Sequence, residues 1–138
     1  MRTTGQALLF GLLAALVAKF ATSVVMSAAT RSVLAARGFD EGQMRAFFAG
    51  QFDSPWLGLL GMVPELVAGM AGGYVAAARA PHLPYWHALG AVAAAALVSL
   101  APVLGQLPGL MLAGALSVAL GAGYVGAVIH SLFPLRRG

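Results

Sequence analysis

Two charged residues stand in stretches that are otherwise apolar. Lys19 interrupts the run from Gly5 to Thr30. Glu65, directly after Pro64, interrupts the run from Leu57 to Arg79, LGLLGMVPELVAGMAGGYVAAAR. At the centre of a bilayer an isolated charged side chain costs about 3 kcal/mol on insertion scales, so such groups face protein or water and pair with one another. If the two runs are antiparallel helices, Lys19 lies 11 residues before Thr30 and Glu65 lies 10 after Pro55, at nearly equal depth near mid-membrane. A Lys19–Glu65 pair is therefore expected. It could be a static ion pair that fixes helix register, the reading preferred here, because buried pairs are better at specifying an arrangement than at stabilising it. It could also be a proton or ion relay, or a site for a charged substrate. Thr22, Ser23, Met26 and Thr30 continue the Lys19 face at helical spacing, and Pro64 loosens the backbone beside Glu65; both features favour the relay.

Histidines form a second candidate constellation. His87 lies one turn inside the third apolar run and His130 one turn before the end of the fourth, at matched depth, with His82 in the adjoining link. Such a pair on neighbouring helices could ligate the iron of haem b or contribute to a metal site. The competing reading makes them interfacial residues beside Arg79, Arg136 and Arg137, and no third ligand stands with them. Otherwise neither a cofactor nor a metal is expected. Cysteine is absent, which excludes disulfides and thiolate chemistry. There is no GxSxG, HExxH, phosphate-binding loop or dinucleotide fingerprint, so no enzyme is expected.

The elements that must hold these residues follow from composition. Of 138 residues, 60% are hydrophobic and only 9% charged, which describes a membrane protein and leaves no room for a soluble domain. A spanning helix takes roughly 20 apolar residues. Four fit, at about 6–30, 55–78, 84–104 and 109–132, giving an all-α integral membrane four-helix bundle in a single domain. A signal peptide is the alternative for the first run, but Lys19 interrupts it and apolar character continues to Met26. Gly38 suits the left-handed residue after a helix end.

Between the first two spans, a short amphipathic helix is expected at about 41–52. Asp40 and Gln43 have capping-box spacing, and Phe39 and Met44 that of a hydrophobic staple. Met44, Phe47, Phe48 and Phe52 fall on one side, which suits an aromatic face lying in lipid at the interface, with docking onto a partner as the alternative. In the second span Gly58, Gly61, Glu65, Ala68, Gly69, Gly72 and Ala76 form a face of small residues. That face is expected to meet the first span. In the fourth span, Gly114 and Gly123 are spaced for close helix contact. The alanine-rich third span offers packing and no chemistry.

Four spans place both termini with the link after the second span. That side carries Arg2, Arg79, Arg136 and Arg137, against Arg31, Arg37 and Arg45 on the other, which puts the termini in the cytoplasm. Trp56, Tyr85 and Trp86 sit where interfacial aromatic anchors belong. The formal charge of +4 is spread over span ends and forms no nucleic-acid footprint. The segment from Ala71 to Pro81, AGGYVAAARAP, followed by PYWHA, resembles the GGYxAAR-then-HA pattern of small, uncharacterised four-helix bacterial membrane proteins. That resemblance implies a bacterial inner-membrane protein and carries no catalytic residue with it. Three functional expectations result. The first is an accessory or structural subunit that uses its small-residue faces to join other membrane subunits or copies of itself. The second is a small transporter or channel built on Lys19 and Glu65. The third is a haem-binding subunit using His87 and His130.

Overall fold

The computed structural model describes residues 3–50, 53–105 and 108–134, and within these the chain is all-helical. The helices are α1 (Thr4–Ala36), α2 (Glu41–Ala49), α3 (Pro55–Gly61), α4 (Val63–Arg79), α5 (Pro84–Leu100) and α6 (Gly109–Leu132), with a 3-10 turn at Ala101–Val103. Three are long and apolar enough to cross a membrane: α1, the α3–α4 run from Trp56 to Arg79, and α6. At 17 residues, α5 is about 25 Å long, a little short of a full span.

Local chemistry sets the ends. The Thr3 side chain accepts from the Gln6 amide, and the Gln6 side chain accepts from the Thr3 amide, a reciprocal cap that starts α1. At its other end Gly38 has φ +82°. The Gly38 amide donates to Ala35 O at 2.9 Å and the Phe39 amide to Leu34 O at 3.1 Å, so the last carbonyls are satisfied in a left-handed stop. Asp40 and Gln43 cap α2 in the same reciprocal way. This helix ends at Ala49. Phe52, assigned to its aromatic face, lies outside the described residues. Met44, Phe47 and Phe48 are its half-buried positions, and the Arg31 guanidinium sits 5.6 Å over the Phe48 ring, tying α2 to the end of α1.

The run expected from Leu57 to Arg79 is present as one stretch long enough to span, and Pro64 does loosen its backbone. A one-residue interruption at Met62 separates α3 from α4. The cause is Pro64, which has no amide to donate and whose ring crowds the carbonyl four residues back. The third span also stops short. The α-helix ends at Leu100, and the segment around Pro102 tightens into the 3-10 turn. The fourth ends where expected, at Leu132.

At the centre of the packing lies α4, which contacts α1, α5 and α6; α5 also touches α1 and α6. The core is built of alanine and glycine, with Val92 its largest fully buried side chain. Large apolar residues such as Leu13, Phe20, Leu66, Leu97 and Val125 point outward. Small inside and large outside is the pattern expected where lipid is the solvent and close backbone approach holds helices together. Two seams on α4 do this. Toward α1, a Cβ on Gly72 would lie 2.7 Å from Ala15 Cβ, and one on Gly11 would lie 2.6 Å from Ala76 Cβ. Toward α6, a Cβ on Gly69 would lie 2.5 Å from Ala119 O, and one on Gly73 would lie 2.8 Å from the Gly123 Cα.

The small face of α4 is thus divided between two partners and does not serve α1 alone. Gly69, Gly72 and Gly123 stand at close contacts. Gly61 is exposed and takes no part in a seam. A Cβ on Gly58 would meet only Met111 Cε at 3.9 Å, and one on Gly114 only Met62 Cε at 3.2 Å, so neither position demands glycine. Both face the ends of flexible methionine side chains. Gly11 and Gly73 hold seam positions that spacing alone did not single out.

Candidate functional site

Three helices meet at the Lys19 ammonium. From α1 it donates to Glu65 Oε1 of α4, and also to Ser99 Oγ of α5 at 2.7 Å. The Ser99 hydroxyl in turn donates to Ala96 O at 3.1 Å. The Glu65 side chain is 9% exposed and that of Lys19 is 22% exposed, so the charges are largely withdrawn from the surroundings and directed at each other. The break at Met62 contributes a further element. It places Glu65 in the first turn of a new helix, where the exposed amide ends favour a negative charge. A carboxylate in the middle of a continuous helix would lack that support.

Beside the pair lies a cavity of about 10 Å³, close to the room one water molecule needs. Lys19, Glu65 and Ser99 supply its polar lining, and Ala15, Gly69 and Val92 are among its apolar walls. Ser99 was not foreseen, because it sits in an alanine run with no periodic signal. Depth could have revealed it. Lys19 is 15 residues beyond Thr4 and Ser99 is 15 beyond Pro84, while Glu65 lies 14 before Arg79, all counted from the same end of the molecule.

The remaining polar stripe is not gathered onto the pair. Thr22 donates to Ala18 O at 2.7 Å, within its own helix. Ser23 and Thr30 are half-buried on the same face as Lys19 and form no hydrogen bond to the pair. Of the histidines, His87 is buried. Its Nδ1–H donates to Leu83 O at 3.0 Å, the tautomer that contact requires, and its Nε2 is enclosed without a partner among the described residues. His87 packs edge-on against His82, with ring centroids 5.6 Å apart, whereas His130 packs against Tyr74 at 5.3 Å. The two residues considered as haem ligands therefore take separate ring neighbours.

The segment from Gly72 to Arg79 works as a hub. Gly72 and Ala76 meet α1, Gly73 meets α6, and the Tyr74 hydroxyl donates to Phe133 O at 2.9 Å. Arg79 lies 4.4 Å over the Phe10 ring. Each of these contacts joins helices, and none presents a reactive group. The chain matches no protein-family model, no curated protein and no solved structure.

Proposed function

We propose that this chain is a four-span protein of a bacterial inner membrane, with both termini cytoplasmic and α2 lying in the opposite interface. In this reading α5 crosses with the help of its 3-10 extension. The protein acts as a small accessory or structural subunit that joins other membrane subunits or copies of itself. What supports this most is the way its intramembrane charges are used: Lys19, Glu65 and Ser99 satisfy one another across three helices in a packed junction with space for about one water. Such a junction fixes register and offers a transported solute no room. The surface left over is large. In the most apolar window of α1 11% is buried, against 39% for the Trp56–Arg79 run, so the α1 outer face is free for lipid or for another subunit. The experiment is gentle solubilisation of native membranes followed by identification of copurifying chains. Recovery of the protein only as a monomer, alone, under conditions that preserve other complexes would overturn the proposal.

A second reading, a proton relay, draws on one observation: the polar wall of the cavity consists of an ammonium, a carboxylate and a hydroxyl. Replacing Glu65 with Gln separates the two. Loss of proton flux in reconstituted vesicles with retained assembly supports the relay, whereas loss of assembly alone supports the subunit.

A further inference from the structure

The formal charge of +4 belongs to one end of the molecule. Gly11 packs on Ala76 and Ala91, and Tyr74 donates to Phe133 O, so the start of α1, the end of α4, the start of α5 and the end of α6 share that end. Arg79 stands on it, and the sequence adds Arg2 just before α1 and Arg136 and Arg137 just after α6, with no carboxylate among them. At the opposite end Arg31, Arg37 and Arg45 are equalled in number by Asp40, Glu41 and Asp53. Between the two ends Lys19 is paired with Glu65. The whole net charge therefore lies where α4 and α5 join.

Two arginines rest on aromatic rings, one at each end. Arg79 lies 4.4 Å over Phe10, and Arg31 lies 5.6 Å over Phe48. Neither forms an ion pair or a hydrogen bond to another described residue. An aromatic face fixes a guanidinium in place but leaves its five N–H donors in need of oxygen. For Arg31, three carboxylates belong to the same end. For Arg79 the protein offers none, and His82, exposed in the adjoining link, brings no negative charge. Leu83 and Trp86 are exposed in that link as well, an apolar rim of the kind that sits at headgroup level. A fixed guanidinium above such a rim meets the phosphodiester oxygens of lipid.

We propose that the α4–α5 end is a surface for anionic phospholipid headgroups, with Arg79 as its phosphate-binding residue. Zwitterionic lipids carry the same phosphate together with a cation, which an end holding four arginines and no acid repels. The proposal rests on the membrane-spanning reading. It does not depend on which side the end faces, or on whether the protein assembles with others.

The chain supplies its own reporters. Its two tryptophans are Trp86 in this link and Trp56 at the start of α3, at the opposite end, 71% and 78% exposed. Trp56→Phe leaves Trp86 to report alone, and Trp86→Phe leaves Trp56. Each variant is reconstituted in vesicles of phosphatidylcholine with a rising share of phosphatidylglycerol, and brominated forms of either lipid quench the tryptophan they touch. At about fivefold for each arginine, phosphatidylglycerol should be enriched at least about fivefold at Trp86 over its share of the bilayer, and not at Trp56. Arg79→Gln should remove most of that enrichment, Arg79→Lys should keep most of it, and Arg31→Gln should leave it unchanged. Equal quenching by the two lipids at Trp86, or enrichment that survives Arg79→Gln, would overturn the proposal. Sodium phosphate and sodium chloride at equal ionic strength should weaken the enrichment alike. A stronger effect of phosphate would reveal a site for the free anion and overturn the assignment to lipid. Quenching of both tryptophans by brominated phosphatidylcholine reports insertion itself, so a failed headgroup preference is distinguishable from a failure to span.

Discussion

Gly73→Ala adds one methyl group at the tightest point of the α4–α6 seam. The new Cβ would stand 2.8 Å from both Cα and the carbonyl carbon of Gly123, and closer still to the carbonyl oxygen. All three are backbone atoms, so no side chain can rotate away. Ordinary contact begins near 3.4 Å, so α6 must withdraw by roughly 1 Å, which forfeits a quarter to a half of each dispersion contact across the seam. On the order of 20 atom pairs at ~0.15 kcal/mol each then lose about 0.8–1.5 kcal/mol, and residual overpacking adds about 1–3 kcal/mol. Better helix propensity returns up to about 1 kcal/mol. The net expectation is a loss of about 2 kcal/mol. Gly121→Ala is the matched control: it lies two residues from Gly123 on the exposed side of α6, and a Cβ there meets nothing within 4 Å. It receives the propensity gain with no clash. Reversible unfolding in mixed micelles, followed by steric trapping, measures both. If Gly73→Ala falls within about 0.5 kcal/mol of Gly121→Ala, the seam is not close-packed and the reasoning fails.

Other outcomes follow from the same geometry. Lys19→Met alone should cost about 3 kcal/mol because it strands Glu65, while Lys19→Met with Glu65→Leu should recover most of that loss; an unaffected single variant would show that the pair is not satisfied internally. Ser99→Ala removes one hydrogen bond between helices and should cost under about 1 kcal/mol in the same unfolding assay. His87→Phe exchanges one hydrogen bond for relief of an enclosed, unpartnered Nε2, so stability should change by less than about 1 kcal/mol. A larger loss, or a haem absorbance band that His87→Phe abolishes, would show that Nε2 has a ligand. Pro64→Ala restores the missing amide and should join α3 and α4 into one uninterrupted helix, seen as slowed hydrogen exchange at the amides around Met62; unchanged exchange there would show that Pro64 is not the cause of the interruption.

How much of this arrangement could be read from the chain depends on how local its cause is. The reciprocal caps at Asp40 and the stop at Gly38 are settled by residues three or four apart, and they can be read directly. Antiparallel counting brings Lys19 and Glu65 to one level, because only two helices and one connection are involved. Ser99 requires a third helix and its depth, and a serine in an alanine run gives no periodic signal. The glycines show the limit most clearly. Spacing marks Gly69 and Gly72 as packing residues and passes over Gly73, which stands directly beside Gly72. Which neighbour each one meets depends on their angles around α4. Gly69 and Gly73 are about 40° apart and face α6, while Gly72 and Ala76 are about 40° apart and face α1. Read as a single stripe, they form one broad small face. Read as two overlapping small-xxx-small pairs, they imply two partners, and α4 becomes the helix on which the others are hung.

That second reading also accounts for the break at Met62. With both flanks of α4 committed to backbone-close seams, the only freedom left to the run is at its N-terminal end, beyond Glu65. There the seams give way to Met62 and Met111, whose flexible ends replace glycine contacts. A proline at that boundary interrupts the helix where little packing is lost. It also places the Glu65 carboxylate in the first turn of a new helix, where the helix dipole favours a negative charge. The interruption and the buried acid are thus one feature: the acid is tolerable at this depth because the helix starts beside it. Pro64→Ala should therefore weaken the site electrostatically as well as join the two helices. Its stability cost should shrink when Glu65 is already Gln, and strict additivity of the two changes would show that the interruption and the acid are independent.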